Sequence, residues 1–331
     1  MLSLYMNAVV VVSLVCRAAK GTLMALSRNA SHRYDYSTST VSLTVTGVEI
    51  LYSLIRMKWK ERENGYARKS FSLTEILLMS VPAYLSFVSS SFYFILQRLL
   101  EDELIIQSFS VFKVAITGFL SIIVIRRKLT STHWAAIVIL CTSVGLIERK
   151  NAGSSSFDFP FYATFIALIS MLFDSLSSVI TELLLKRHRN MDIAQQNIWL
   201  YFWSGITQLL SLVMKEGSNF PQRITFRHFN TYAYALVITE SLRGLTTLRI
   251  QKEIDSVAES FISSMSLMVA AFFVSVLMRQ SIPFMFFLAA GNIMIAGYLY
   301  HSVPRPVSTI DSTPREEEHL TPDAIDIESE E

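Results

Sequence analysis

The stretch LIIQSFSVFKVAITGFLSIIVI, residues 104–125, is long and apolar enough to cross a bilayer, yet it carries one charge, Lys113. Three basic residues, at positions 126–128, follow it directly. A charge at mid-bilayer depth costs about 3 kcal/mol or more, so such a residue usually faces a partner or a water-filled cavity. This stretch therefore predicts a helical membrane protein with a polar interior.

Two interpretations of Lys113 follow from its position. In the first, Lys113 pairs with a carboxylate such as Glu182 or Glu240 and only holds the helices together. In the second, its ammonium group binds an anionic ligand, because a lysine is a compact point charge suited to phosphate. Both interpretations are open at this point, and we favour the second.

The composition of the 331-residue chain also indicates a membrane protein. Charged residues make up 17% and hydrophobic residues 51% of the chain, whereas soluble domains carry about 25% charged residues. Cys16 and Cys141 lie in apolar runs, which predicts buried thiols rather than a disulfide. Residues 306–331 are acidic and poor in apolar side chains, so we expect a disordered cytosolic tail. This acidic end argues against nucleic-acid binding.

Repeated apolar runs of bilayer-spanning length predict an all-α integral membrane protein with ten transmembrane helices. Short polar segments such as KWKERENGYARKS and RRKLTST separate these runs. The predicted spans are residues 3–20, 38–57, 74–98, 103–125, 131–148, 159–185, 194–214, 230–249, 255–278 and 282–302.

Two segments in the two halves of the chain resemble each other. IVIRRKLTSTHWAAIVILCTSVGLI and SVLMRQSIPFMFFLAAGNIMIAGYL align Arg127 with Arg279 and Gly145 with Gly297. Five helices in each half place the halves in opposite orientations in the membrane. We therefore predict one transporter domain over residues 1–305, built from two inverted repeats of about 1–150 and about 157–305, with a ligand site near the midplane.

Catalytic and metal-binding patterns are missing from the sequence. The six histidines are scattered, and no His/Cys spacing typical of a metal site, no glycine-rich phosphate loop and no ordered catalytic triad occurs. We therefore expect neither an enzyme nor a protein with a cofactor or a bound metal.

Several segments, taken in order, resemble the nucleotide-sugar transporters, in the branch of the CMP-sialic acid and UDP-galactose carriers within the drug/metabolite transporter superfamily. They cover most of the chain. The segments are IIQSFSVFK (105–113), ITELLLK (180–186), QNIWLYFWSG (196–205), SLRGLTTLRIQKEIDSVAESFISSMS (241–266) and AAGNIMIAGYLYHSVPRP (289–306).

This resemblance implies a multi-pass carrier of the Golgi membrane, or of the endoplasmic reticulum membrane. Such a carrier exchanges a cytosolic nucleotide sugar for a luminal nucleoside monophosphate by alternating access. The alternative is a protein of the same fold that no longer transports and that acts as a scaffold or regulator of the glycosylation machinery. A homodimer or a complex with other glycosylation proteins is also left open.

The resemblance also implies which residues contact the ligand. Lys113 is expected to meet the nucleotide phosphate, and Asn197 and Tyr201 lie at family positions that contact the nucleotide. At i and i+4 these two residues share one helix face. Ser91 stands where the family has an amide that contacts ligand.

Three further candidates are departures from the family pattern. Glu259 stands where the family has a lysine in the ninth helix, and Arg243 replaces a glycine in the eighth. Glu240 precedes Arg243 by three residues, so the two side chains can pair on one helix face. The hypothesis is that Arg243 replaces part of the lost lysine's role and is held by Glu240 or Glu259. A ligand with a carboxylated sugar would fit this more acidic site poorly.

The basic residues of the loops give the first testable prediction, which concerns membrane orientation. Sixteen Lys and Arg residues lie in the even-numbered loops and the tail, against eleven in the odd-numbered loops. Since cytosolic loops are enriched in basic residues, both termini are expected in the cytosol and the sequon at Asn29 in the lumen. Glycosylation mapping checks this orientation. A luminal carboxyl terminus combined with a cytosolic segment 58–72 would contradict the even number of spans.

Overall fold

The computed structural model describes residues 2–27, 36–64, 71–99, 103–151, 161–188, 191–216, 229–277 and 284–302. Within these residues the chain forms eleven α-helices and no strand. Arg279, the sequon at Asn29 and the acidic segment 306–331 lie outside them. The helices are α1 (Leu2–Leu26), α2 (Thr38–Asn64), α3 (Leu73–Leu78), α4 (Ser80–Leu99), α5 (Glu103–Val124), α6 (Ser131–Asn151), α7 (Phe161–Arg187), α8 (Ile193–Glu216), α9 (Thr231–Glu253), α10 (Ser256–Leu277) and α11 (Phe284–Ser302).

The described helices follow the ten predicted spans, with three main differences. The third span is divided between α3 and α4 at Met79, and α3 begins with a capping box in which Ser72 and Glu75 bond each other's backbone N–H groups. The first span was predicted to end at residue 20 and the second at residue 57, but α1 continues to Leu26 and α2 to Asn64. Arg17 and Lys20, near the predicted end of the first span, therefore lie well inside a helix.

The apolar character of the helices is uneven. Among the described residues, three segments are long and apolar enough to qualify as membrane spans by composition alone: Leu4–Met24, Leu73–Tyr93 and Tyr162–Arg187. Ten of the described helices nevertheless have between 19 and 27 residues, long enough for a bilayer. The mean hydropathy of helices such as α9 is lower because they carry charged residues, including Glu240, which is buried inside the bundle.

Contacts between loops define two opposite ends of the bundle. At one end, Lys60 lies 3.3 Å from Asp192, and Glu75 lies 3.3 Å from His188. The start of α1 and the end of α11 lie at this end too, because Tyr5 packs on Arg249 near the end of α9 and the Tyr300 hydroxyl donates to Asp255 in the α9–α10 connection. We call it the even-loop end. At the other end, which we call the odd-loop end, the Ser27 hydroxyl lies within hydrogen-bond distance of the Tyr36 hydroxyl and of the Asn230 amide oxygen.

A buried ionic network closes the bundle at the even-loop end. Arg127 donates to Glu182, which also accepts from Lys186 at 2.8 Å and from the Ser256 hydroxyl at 2.7 Å. A second carboxylate, that of Asp255, lies 3.7 Å from the Arg127 guanidinium. Arg127 and Glu182 are 3% and 0% exposed, so this end is sealed by charges that water does not reach.

The turn after α5 directs Arg127 into this network. Arg126 has a φ of 55°, in the left-handed region, and the Arg127 N–H donates to the Ser121 carbonyl at 3.3 Å. A residue in the left-handed conformation thus follows the end of the helix and reverses the chain direction. Arg126 remains exposed while the next side chain enters the bundle.

The second prediction concerns this network. Replacing Arg127 with alanine leaves the buried Glu182 without its arginine, and removing one partner of a buried ion pair costs about 3–5 kcal/mol. Arg127→Ala should therefore lower the thermal stability of the purified protein in detergent strongly. Lys128→Ala, at the exposed neighbouring position, serves as the control and should melt like the wild type. Equal melting of the two variants would show that the network contributes little to stability.

Candidate functional site

A cavity of about 340 Å³ lies between α1, α2, α8 and α9. Its lining begins with Tyr36 and Val41 at the odd-loop end and reaches Thr247 and Leu248 deep in the bundle. The helices bring four ionisable side chains to its wall besides tyrosines. They are Lys20, Glu49, Glu240 and Arg243.

Two cations share one carboxylate in this cavity. The Glu240 carboxylate accepts from Arg243 at 2.8 and 3.0 Å and from Lys20 of α1 at 3.2 Å. The predicted pairing of Arg243 with Glu240 on one helix face is thus present. Because two positive charges face one negative charge, this group carries a net charge of +1, which suits an anionic ligand.

Glu259 finds its partner on α1. Its carboxylate accepts from Arg17 at 2.5 Å, and Arg17 also donates to Thr247 at 2.7 Å and to Ser13 at 3.3 Å. Glu259 is 4% exposed, so this is a buried ion pair. Of the two partners considered for Arg243, the structure shows Glu240. Glu259 pairs instead with Arg17, which lies near the predicted end of the first span.

Lys113 pairs with a residue other than the two carboxylates proposed from the sequence. Its ammonium lies 2.6 Å from Asp174 of α7. The side chains are 20% and 43% exposed, so this pair is less enclosed by protein than that of Arg17 with Glu259, and neither residue lines the cavity. Glu182 and Glu240 are instead engaged by the cations described above, because the helix geometry places them at the even-loop end and in the cavity wall.

One face of α8 is polar along its length. Tyr201, Ser204 and Gln208 line the cavity, and Asn197 lies one turn before Tyr201 on the same face. Asn197 and Tyr201 are 4% and 7% exposed. Within the described part of the chain, neither the Asn197 amide oxygen nor the Tyr201 hydroxyl has a hydrogen-bond partner. Tyr201 lines the cavity, whereas Asn197 lies outside its lining.

Glu49 of α2 is a cavity residue that the sequence reasoning missed. The carboxylate packs over Gly244, where an added Cβ would lie 1.7 Å from Oε1. The Tyr201 hydroxyl lies 3.4 Å from the same point. Gly244 thus provides the space in which the Glu49 carboxylate and the Tyr201 hydroxyl approach each other.

Ser91 does not lie with the other candidates. It is exposed on α4, and its hydroxyl donates to the Phe87 carbonyl of its own helix at 2.9 Å. The structure therefore brings Tyr201, Glu240 and Arg243 to the cavity wall and Glu259 next to it through Arg17. Arg17 and Lys20 were missed although their spacing of three residues, inside an apolar run, could have indicated one polar helix face.

The sequence pattern of the nucleotide-sugar transporter family matches residues 3–301 of the chain. The chain belongs to the nucleotide-sugar transporter family. The resemblance seen in the sequence is thereby confirmed over nearly the whole length that we predicted as the transporter domain.

Individual members of the nucleotide-sugar transporter family are distant from this chain. A CMP-sialic acid transporter 2 of Oryza sativa subsp. indica is 22% identical over 91% of this chain and 85% of its own length. A probable UDP-sugar transporter protein, SLC35A4, of Xenopus tropicalis is 25% identical over 81% and 83%. One crystal structure has a TM-score of 0.67 at 11% identity, covering 92% of this chain and 99% of its own, which shows a shared fold.

The third prediction tests the pair formed by Arg17 and Glu259. Arg17→Ala leaves a buried carboxylate without a cation, so we expect a loss of about 3–5 kcal/mol in the free energy of unfolding. Adding Glu259→Gln removes the unpaired charge and should restore most of the melting temperature in detergent. Asp174→Asn, which removes the half-exposed partner of Lys113, should cost less than Arg17→Ala, because the charge that it leaves is less enclosed by protein. A double variant as unstable as Arg17→Ala would argue against the pair.

Proposed function

We propose that the protein is a nucleotide-sugar antiporter that exchanges a cytosolic nucleotide sugar for a luminal nucleoside monophosphate across a Golgi or endoplasmic reticulum membrane. The observation that carries the proposal is the cavity in which Lys20 and Arg243 share the carboxylate of Glu240, in a chain of this family. The net positive charge of these three side chains favours a phosphate group, and a guanidinium can bind one through two parallel hydrogen bonds.

The packing of the helices supports two inverted repeats of five helices. In this arrangement α1, α2, α4, α5 and α6 of the first half correspond to α7, α8, α9, α10 and α11 of the second. The contact of α4 with α7 then corresponds to that of α9 with α1, and both are extensive. The contacts of α5 with α7 and of α2 with α9 have equivalents in α10 with α1 and α8 with α4. The pairs α2–α8, α6–α11 and α5–α10 map onto themselves. Such symmetry is expected of an inverted-repeat carrier.

The two ends of the bundle support alternating access. The cavity extends from the odd-loop end, while the buried network around Arg127 and Glu182 seals the even-loop end. With both termini cytosolic, as the loop charges predict, the conformation is closed to the cytosol. Transport would require the network to open when the ligand site closes toward the lumen.

The candidate residues take distinct roles in this proposal. Lys113 exchanges its half-exposed partner Asp174 for a ligand phosphate. Asn197 and Tyr201 bond the nucleotide through their unpartnered polar atoms. Arg243, positioned by Glu240, supplies a second cation. Glu259 positions Arg17 and does not itself contact the ligand.

A non-transporting scaffold is the second candidate, and one observation favours it. Every cation named in or beside the cavity already contacts a carboxylate in the described residues, including Lys113 with Asp174 and Arg17 with Glu259. If these pairs do not exchange for ligand, the site is closed.

The fourth prediction separates the two candidates. Proteoliposomes loaded with UMP or CMP should take up UDP-sugars or CMP-sialic acid from a labelled panel, and Lys113→Ala should reduce the exchange to background. Because Asp174 is half-exposed, this variant should lose less stability than Arg17→Ala, which a melting curve checks. No uptake by the wild type from a panel that also includes GDP-sugars would contradict transport. A strongly destabilised Lys113→Ala would show that Lys113 serves the fold.

A further inference from the structure

Glu49 is a buried carboxylate that the proposed transport cycle does not yet use. It is 5% exposed and its side chain faces the cavity from α2. In the part of the chain that the structure describes, no donor contacts its carboxylate, although Gly244 leaves it room against α9. An ionised carboxylate without a donor or a paired cation is costly in such a place, and a bound proton removes that cost.

The charged and titratable groups that face Glu49 come from two packed helices. From α9 they are Glu240 and Arg243, and from α8 the group is Tyr201. The donors of Arg243 that the structure shows go to Glu240. Lys20 of α1 also donates to the Glu240 carboxylate. Arg243 thus attracts Glu49 without bonding it, and Glu240 repels it.

The charge of the cavity depends on the state of Glu49. Lys20 and Arg243 together with Glu240 carry +1. An ionised Glu49 brings the cavity to zero, whereas a protonated Glu49 leaves it at +1. An anionic ligand binds the positive cavity more strongly, and by reciprocity the bound anion favours the protonated carboxyl group.

We propose that Glu49 is a proton-binding site coupled to the anionic ligand. At an alkaline pH, at which Glu49 is ionised in the empty cavity, the carboxylate takes one proton from the solvent when a nucleotide phosphate enters the cavity and releases it when the phosphate leaves. A proton therefore travels with each nucleotide ligand. The inference rests on the proposed function, because it needs the cavity to bind a nucleotide.

The test measures proton uptake on ligand binding with the full chain in detergent. UDP-galactose and CMP-sialic acid are the probes, because neither esterified phosphate titrates between about pH 6 and 8.5. Calorimetry at about pH 8.5, in two buffers of different ionisation enthalpy, counts the protons bound with each ligand, because uptake requires Glu49 to be ionised before the ligand binds. The wild type should take up as much as about one proton, and its Kd should rise by up to about tenfold per pH unit in the alkaline range.

Glu49→Gln imitates the neutral carboxyl group. It should bind the probe at about pH 8.5 as tightly as the wild type does at about pH 6, with no proton uptake. Glu63→Gln makes the same change at an exposed position of the same helix and should keep the wild-type pH dependence. Wild-type pH dependence retained in Glu49→Gln would overturn the proposal.

The remaining outcomes also decide. If Glu49→Gln does not fold, the number of protons that the wild type takes up on ligand binding is the remaining test. An uptake below about a fifth of a proton contradicts the inference. Binding of either probe without proton uptake refutes the coupling and leaves the proposed transport intact. If neither probe binds the wild type, and a control titration with UMP and CMP also gives no heat, the proposed function fails and the coupling fails with it.

Discussion

Charges buried between helices must be paired inside the bundle, and this constraint organises the molecule. Each of the main pairs joins the first half of the chain to the second: Arg17 to Glu259, Lys113 to Asp174 and Arg127 to Glu182. A membrane gives these groups no alternative partner in lipid. The same contacts that hold the halves together are therefore the ones that any relative movement of the halves must break or exchange.

The pairs differ in how easily they can be exchanged. Arg127 and Glu182 are almost fully buried and share further bonds with Lys186 and Ser256, so separating them requires several groups to find new partners together. Lys113 and Asp174 are more exposed, at 20% and 43% of their side chains, and no further bonds to this pair are shown among the described side chains. The most enclosed ion pair therefore lies at the even-loop end, and the pair of Lys113 with Asp174 requires fewer groups to move together when it separates.

The sequence predicts the helices well and their pairings poorly. Apolar length alone places the long helices, since a bilayer sets that length, and Glu240 with Arg243 follows from local helix spacing. The partner of Lys113 could not be deduced, because Asp174, Glu182 and Glu240 are all distant in sequence and only packing selects among them. Arg17 was misplaced for a simpler reason: a basic residue near the end of an apolar run is normally at the membrane surface, and α1 proved longer than its apolar part.

The position of Glu259 shows why a departure from a family pattern does not by itself indicate a lost function. The resemblance implies a lysine there, and this chain has the opposite charge. Arg17, from the helix packed against it, restores a cation at the same interface. Arg17 and Glu259 together are neutral, and the cation lies on α1, the helix of Lys20, instead of on α10. Positive charge is thereby concentrated on α1, facing α9. Lys20 and Arg243 share the carboxylate of Glu240, and Glu49 lies in the same cavity as a second carboxylate. The net charge of the cavity therefore depends on whether Glu49 carries a proton, and only the protonated form leaves the positive charge that favours an anion.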